Sequence, residues 1–416
     1  MFFDIIKKEK EGGKESMSLE FKPMIRNNIS LSVNPLGIEQ EVMNQINYIK
    51  SKGHYDGPKK VLIIGASSSY GLASRISLAF GAGADTIGLS YEKGPRSEKA
   101  LGTAGWYNNI FFKREAEKEG LIAKNIIADA FSKETKEKTI EYIKDEFGGK
   151  IDLVIYSLAA GRRRDDETGK TYTSVIKSIG EPVIGWNTDF STDTLFQQTV
   201  EPASEQEIED TVKVMGGEDW YKWMEALKEA NVLSQGAKTI LYSYIGSDLT
   251  HAFYHHGTLG VAKADCDAKA KEINHLLEDI NGEALISVSK AVTTKASAVI
   301  PLFTFYCIGL IKVMKEKGTY EVPIQHKDRL FRDWIYGDVT PVIDEEGRIR
   351  IDSWEMDPDT QARTKALLQK VNEDNFNTDL TEYKTLKREF LNLSGFEVEG
   401  YQPREVTIDE LKALEP

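Results

Sequence analysis

Apolar residues in this chain fall into short runs without polar alternation, separated by longer amphipathic stretches. Six runs, at residues 61–65, 85–91, 122–128, 151–157, 238–245 and 284–289, are rich in Ile, Val or Leu. They predict parallel strands covered on both faces. Helical spacing follows at 71–82, 105–119, 133–147, 205–215, 218–230, 258–280 and 297–317. This alternation predicts an α/β fold, a doubly wound parallel sheet with right-handed crossovers. Two regions break the repeat. Residues 161–204, rich in Gly, Thr and Asp, form a connection too long for a passive loop. Residues 320–416 carry helical patterns at 358–373 and 379–392 and a strand pattern at 348–352. Length alone would suggest two or three domains. With no linker in view, we expect an extension over 1–20 and one domain over 21–416, with an insertion at 161–204 and a C-terminal elaboration at 320–416.

In such sheets ligands bind at the carboxyl ends of the strands. The first strand ends in Gly65-Ala66-Ser67-Ser68-Ser69-Tyr70-Gly71 before an amphipathic stretch. That is the order strand, phosphate-cradling loop, helix of a Rossmann-type dinucleotide site. The second strand ends on Tyr91-Glu92, where a carboxylate can bind the ribose hydroxyls of NAD and repel the extra phosphate of NADP. The third gives Asp129-Ala130, with a carboxylate for the adenine amino group, although an Asp there is also a common helix cap. The fourth gives Leu158-Ala159, small enough for close approach to the backbone. The fifth gives Tyr242-Ser-Tyr244, both tyrosines on one side of the strand, and after the sixth come Val292-Thr293-Thr294, with hydroxyls suited to a phosphate or carboxamide. All six strand ends together point to NADH or NAD as cofactor.

Composition narrows the class. A net charge of −13 argues against nucleic acid as a partner. The basic run Arg162-Arg163-Arg164, followed by Asp165 and Asp166, is expected on a solvated turn, with a phosphate contact as the alternative. Two cysteines, Cys266 and Cys307, make no disulfide framework and fit a reducing compartment. The stretch Ala298–Ile311 is too short to span a bilayer and reads as a buried helix. The N-terminal apolar stretch is too short for a signal peptide, and Met17 offers an alternative start, so a cytoplasmic location is expected.

A hydride-transfer centre needs an acid beside the nicotinamide. Short-chain dehydrogenases place a Tyr-x3-Lys in the helix after strand five. Here that spacing occurs only as Tyr48/Lys52, Tyr55/Lys59 and Tyr383/Lys387, all misplaced. The Tyr-x6-Lys of common enoyl reductases occurs only as Tyr320/Lys327, too late in the chain. After strand five stands Tyr254-x8-Lys263, and a second such pair, Tyr306/Lys315, falls on the apolar helix after strand six and reads as structural. Nine residues of continuous helix would put Tyr254 and Lys263 on opposite faces. Tyr254 must therefore precede the helix, with Gly257-Thr258 as the break and Thr258 as N-cap. His251-x3-His255, with His256 beside it, has metal-ligand spacing, but no His-Glu-x-x-His pattern completes it, and no metal is expected.

Six motifs carry a resemblance over nearly the whole chain from Phe21. They are Lys22-Pro-Met-Ile-Arg26-Asn-Asn, the Gly65–Ile76 loop, Gly105-Trp-Tyr-Asn-Asn109, Val214-Met-Gly-Gly-Glu-Asp-Trp220, Tyr242-Ser-Tyr-Ile-Gly246 and Ala296-Ser-Ala-Val-Ile-Pro301. Together they closely resemble the trans-2-enoyl-CoA reductases and the related V-type enoyl-acyl-carrier-protein reductases. The resemblance implies an extended short-chain-reductase fold that uses NADH to saturate the 2,3-double bond of an acyl thioester, carried on CoA or acyl carrier protein, in fatty-acid synthesis. It implies Tyr254 as proton donor, Tyr244 as substrate contact and Lys263 as cofactor-binding lysine. Ser69 stands where a glycine is common, which matters if the position needs φ > 0. A monomer is expected, because the extensions could cover surface that dimeric relatives bury. A carbonyl-reducing dehydrogenase or a non-catalytic NAD-binding module would share the cofactor site. The Tyr-x8-Lys favours the enoyl reductase over both.

Overall fold

Val61, Leu62, Ile63 and Ile64 are all fully buried, which is why their run shows no alternation: the strand they form is covered on both faces. The computed structural model describes residues 18–416, so most of the expected N-terminal extension lies outside the described residues. In chain order the strands are β1 (Ile25–Arg26), β2 (Ile29–Ser30), β3 (Lys60–Ile64), β4 (Asp85–Ser90), β5 (Ala123–Ile127), β6 (Ile151–Tyr156), β7 (Arg162–Arg164), β8 (Thr171–Thr173), β9 (Val183–Asp189), β10 (Thr194–Val200), β11 (Leu233–Ser243) and β12 (Glu283–Val288). The helices are α1 (Pro35–Ser51), α2 (Ser69–Ala82), α3 (Ala104–Lys118), α4 (Lys133–Asp145), α5 (Glu205–Met215), α6 (Glu218–Glu229), α7 (Thr258–Leu276), α8 (Phe303–Lys317), α9 (Pro323–Asp328), α10 (Pro358–Leu368), α11 (Tyr383–Asn392) and α12 (Ile408–Lys412).

Six strands form one sheet in the order β12-β11-β6-β3-β4-β5. Every pairing in it is parallel. Chain order reverses between β3 and β6, and that crevice is where a doubly wound sheet binds a dinucleotide. The glycine loop and the β6 end meet there, with Ser157 N–H donating to Ile64 O at 2.8 Å. Arg75 pins α2 to the sheet. Fully buried, it donates to Thr86 Oγ1, Asn125 Oδ1 and Lys124 O at 3.0, 2.5 and 2.8 Å.

The insertion has its own structure, two antiparallel hairpins, β7–β8 and β9–β10. Arg162–Arg164 is therefore a strand and not a turn. Alternation exposes Arg162 and Arg164 and buries Arg163, which donates to Lys213 O at 2.8 Å and pairs with Glu218 at 3.5 Å. The helix expected over 297–317 is broken. A 3-10 turn spans Ser297–Val299, Ile300 is extended, Leu302 is left-handed at φ 61°, and α8 starts at Phe303. Pro301 explains the break, since it lacks an N–H and forbids a helical predecessor. The strand expected at 348–352 is only a bridge, with Ile349 pairing to Ser287 and Ile343 before a 3-10 turn at Ile351–Trp354. The two tail helices are shorter than their patterns, as α10 and α11. No helix among the described residues is long and apolar enough to cross a membrane.

Candidate active site

The loop after β3 is shaped by two glycines. Gly65 has φ 90°, and a Cβ there would fall 2.1 Å from Ser157 O; at Gly71 one would fall 1.9 Å from Gly65 O. Helix α2 opens behind them at Ser69 with no side chain capping its first turn, so its leading N–H groups remain for an anion. Ser69 does sit at φ 49°. That is the left-handed region, and a non-glycine residue there costs about 1–2 kcal/mol. These features fit the pyrophosphate of a dinucleotide.

Glu92 is held at the end of β4. Ser67 Oγ donates to Oε1 at 2.5 Å and Thr103 Oγ1 donates to Oε2. An ionised carboxylate has about four lone-pair sites, so acceptor capacity remains for ribose hydroxyls. Gly105 permits this packing, because a Cβ there would lie 2.0 Å from Glu92 Oε1. Tyr91 is 75% exposed, free to lie against a base. Asp129 accepts from Phe131 N–H at 3.0 Å in a local turn, while Ser132 caps α4. Ala130 is buried and its carbonyl accepts from Trp223 Nε1 and Lys136 Nζ, both at 3.1 Å. Leu158 is half-buried and Ala159 exposed along the β6 end.

The threonines after β12 are less free than their sequence implies. Thr293 donates to Glu389 Oε2 at 2.6 Å, and Thr294 exchanges bonds with Ser297 at 2.8 and 2.9 Å. Val292 O accepts from Ser297 Oγ. A cavity of about 380 Å³ opens beside this turn, lined by Ser68, Ser69, Asn108, Thr293 and, from α1, Asn44 and Gln45.

Tyr254 lies before α7, as the spacing argument requires. The N-cap is Gly257, one residue earlier than expected, because the Thr258 hydroxyl is engaged elsewhere. It donates to Val175 O at 2.7 Å and accepts from Lys177 N–H at 3.2 Å. Tyr254 packs edge-on against Tyr244 with ring centroids 4.3 Å apart, and both stand near Phe303. Burial pushes the Tyr254 hydroxyl well above the ordinary tyrosine range. Lys263 donates to Tyr242 O at 3.3 Å, on the same side of the sheet end. Tyr242 and Tyr244 serve different neighbourhoods: Tyr242 meets Tyr70 and Ser74, while Tyr244 meets Tyr254 and donates to Glu355 Oε1 at 2.9 Å. Tyr70 donates to Lys290 O at 2.8 Å. The rings of His251, His255 and His256 lie 4.7–5.7 Å apart, and no group of three potential ligands among the described residues is arranged for a metal ion.

Sequence spacing passed over a buried polar layer beneath these residues. Lys327 is fully buried, 3.5 Å from the Tyr242 ring centre and 4.2 Å from that of Tyr70, and donates to Ser289 Oγ at 2.8 Å. Burial drives its pKa well below the ordinary lysine range. His326 accepts from Lys290 N–H at its Nε2 and bonds Glu321 through Nδ1 at 3.0 Å; burial lowers it to about 3. Burial alone would raise Glu321, but His326 and the bidentate Arg329, at 2.7 and 2.9 Å, hold it at about 2. The sequence signal was Glu321 and the unbroken ionisable run His326-Lys327-Asp328-Arg329, flanked by Ile324, Leu330 and Phe331.

Comparison with known proteins places the chain in a family. A model described as the trans-2-enoyl-CoA reductase catalytic region matches residues 100–336, and one described as the NAD(P)H binding domain of trans-2-enoyl-CoA reductase matches 20–97. The chain belongs to the trans-2-enoyl-CoA reductase family. It is 50% identical over 95% of its length to the whole trans-2-enoyl-CoA reductase (NADH) of Clostridium beijerinckii. It is equally identical, over 91% of its length and 95% of the relative, to enoyl-acyl-carrier-protein reductase (NADH) 2 of Photobacterium profundum. The crystal structure of Clostridium acetobutulicum trans-2-enoyl-CoA reductase in complex with NADH superposes with a TM-score of 0.92 at 48% identity, covering 96% of this chain and all of that one. A third model, described as an enoyl reductase FAD binding domain, matches residues 343–402. That segment does not fit a flavin. It has no strand followed by a glycine turn, Asp357 caps α10, Glu355 is buried and taken by Tyr244 and Tyr306, and the half-buried Glu389, on the cavity wall, is taken by Thr293 and Tyr320.

Proposed function

We propose that this member of the trans-2-enoyl-CoA reductase family reduces trans-2-enoyl thioesters to saturated acyl thioesters with NADH, as a step of fatty-acid synthesis. Bound NADH supplies the hydride to C3. The observation that carries the reading is Tyr254, buried against Tyr244 just outside the N-terminus of α7, with Lys263 on the helix behind it. Its raised pKa keeps the phenol protonated at neutral pH, as a hydrogen-bond donor to developing negative charge must be. In this reading Tyr254 stabilises the thioester oxygen as the enolate forms, and Tyr244 fixes the carbonyl. Lys263 turns from Tyr242 O to the ribose hydroxyls and stabilises the nearby oxyanion by its charge. Ser68, Ser69 and Tyr70 N–H groups take the pyrophosphate, Glu92 the adenosine ribose, Tyr91, Asp129 and Ala130 the base, and Leu158, Ala159 and the 292–294 turn the nicotinamide half.

The carrier is CoA or acyl carrier protein, both presenting the same thioester. Two free, buried cysteines support a reducing, cytoplasmic setting, and the elaborations that sheathe the sheet support a monomer. The test is NADH oxidation with crotonyl-CoA, a longer enoyl-CoA and an enoyl-carrier-protein. Tyr254→Phe should lower kcat by roughly 10²-fold or more while NADH still binds. Wild-type turnover of ketones or aldehydes in place of thioesters would overturn the reading, as would a Tyr254→Phe variant as active as wild type.

A further inference from the structure

Glu355 comes from the C-terminal elaboration, far in sequence from every strand end, yet it is fully buried behind Tyr244. Its Oε1 faces two phenols, Tyr244 at 2.9 Å and Tyr306 at 2.8 Å, and its Oε2 accepts from Ala291 N–H at 2.5 Å. Tyr306 Oη in turn accepts from Gln361 Nε2 at 2.9 Å, which also bonds Glu355 O at 2.7 Å. Hydrogen counting gives this arrangement a consequence. A phenol has one hydrogen. While Glu355 is a carboxylate, the Tyr244 hydrogen is spent on it and cannot reach a thioester oxygen. With a proton on Oε1, Glu355 becomes the donor to Tyr244 Oη, and the Tyr244 hydrogen is released toward the substrate side, where Tyr254 stands.

We propose that Glu355 is a proton reserve that acts through Tyr244. The proposal rests on the enoyl-reductase reading above. When the hydride has reached C3 and the enolate has formed, the Tyr244 O–H bond breaks as an O–H bond forms at the enolate oxygen. The Glu355 O–H bond breaks as a new Tyr244 O–H bond forms. NADH is oxidised and the thioester is reduced to its enol; the enol O–H bond then breaks, giving its proton to water, as a C2–H bond forms with a proton from water, which yields the saturated keto thioester, and Glu355 is left as a carboxylate that water reloads through Tyr244 after product leaves. Glu355 touches Tyr244 and not the substrate, so it is a positioning residue.

Its surroundings suit the role. Tyr244, just past the end of β11, and Tyr306, on α8, bond it directly; Tyr254 before α7, Tyr70 on α2, Cys307 on α8, Lys290 after β12 and Asp352 on its own turn lie within electrostatic range of it. Burial raises its carboxyl to about 7, against the lowering effects of Ala291 N–H, Tyr306 and the Lys290 ammonium. The acid form is therefore present below that pH and lost above it.

Infrared difference titration of the ligand-free protein reads the group directly. A protonated-carboxyl band should disappear with a midpoint of about 7 in the wild type and be missing in Glu355→Gln. In turnover, wild-type kcat should fall as pH rises through that midpoint. Glu355→Gln should lose the inflection and about tenfold or more in kcat, with KM for NADH nearly unchanged. Tyr306→Phe removes one donor, leaves the Glu355–Tyr244 pair and should keep the inflection. If Glu355→Gln does not fold, judged by circular dichroism, Tyr244→Phe decides, since it should keep the carboxyl band and lose the kcat inflection. A Glu355→Gln profile that still bends near neutral pH overturns the proton reserve and leaves the enoyl-reductase reading standing. A wild-type protein without thioester-dependent NADH oxidation overturns both.

Discussion

Two regions of this molecule solve different problems with opposite materials. The Gly65–Gly71 loop and the neighbouring Glu92 at the end of β4 rely on small residues, backbone N–H groups and one carboxylate with acceptor sites to spare. The layer from Glu321 to Glu355 is built from large ionisable side chains, and nearly every polar atom in it already has a protein partner. The first region lets a cofactor approach. The second fixes the electrostatics of Tyr70, Tyr242 and Tyr244 from beneath. Open backbone gives binding, whereas closed side-chain networks give preorganisation, and the latter are sensitive to the loss of a single member.

The largest expected effect falls on the closed layer. Glu321→Ala leaves His326 and Arg329 without their carboxylate and should lower stability by about 3–5 kcal/mol in denaturant unfolding. The pH dependence has a definite sign. Glu321 is depressed to about 2, so its contribution is complete above its ordinary 4.5 and is lost as pH falls toward 2. His326, depressed to about 3, likewise favours the fold above its ordinary 6.5 and withdraws that support as pH falls. The gap between wild type and Glu321→Ala should therefore narrow in acid, and a gap independent of pH would remove the contrast between the two regions.

A smaller effect is expected at the open region. Glu92→Ala should keep the fold and shift the ratio of kcat/KM for NADH over NADPH by about tenfold toward NADPH, roughly 1.4 kcal/mol. An unchanged ratio would mean that Ser67 and Thr103 use the carboxylate for structure alone. The smallest effect is at Ser69. Ser69→Gly relieves a left-handed serine and should add up to about 1 kcal/mol of stability with NADH affinity unchanged. A large loss of affinity would show that the hydroxyl itself binds the cofactor.

The open region was legible in the sequence, and the closed one was not, for a physical reason. Strands buried on both faces announce themselves as apolar runs, and the β3–α2 turn must use glycine where a Cβ would strike Ser157 O. Tyr254 was legible too, because a helix cannot bring residues nine apart onto one face, and Gly257 marked the break. Lys327 was set aside for its distance along the chain, although the fold returns it to Tyr242. No local pattern records which loop a buried lysine will meet. Arg163 failed for a similar reason: a three-residue strand depends on a partner strand seven residues on, so its burial is decided by pairing and not by composition. The apolar run around Pro301 hides the break that the proline imposes between Ser297–Val299 and α8.

The start of α7 is laced to the insertion by Thr258 Oγ1 to Val175 O, Thr258 N–H to Lys177 O, and the bridge between Ser178 and Gly257. Tyr254, standing outside the helix, takes its place from those stitches and not from helical rigidity. The insertion is thus a splint for the segment that carries Tyr254, and a lineage could shift that side chain by changing residues 175–178 and leaving the strand ends as they are.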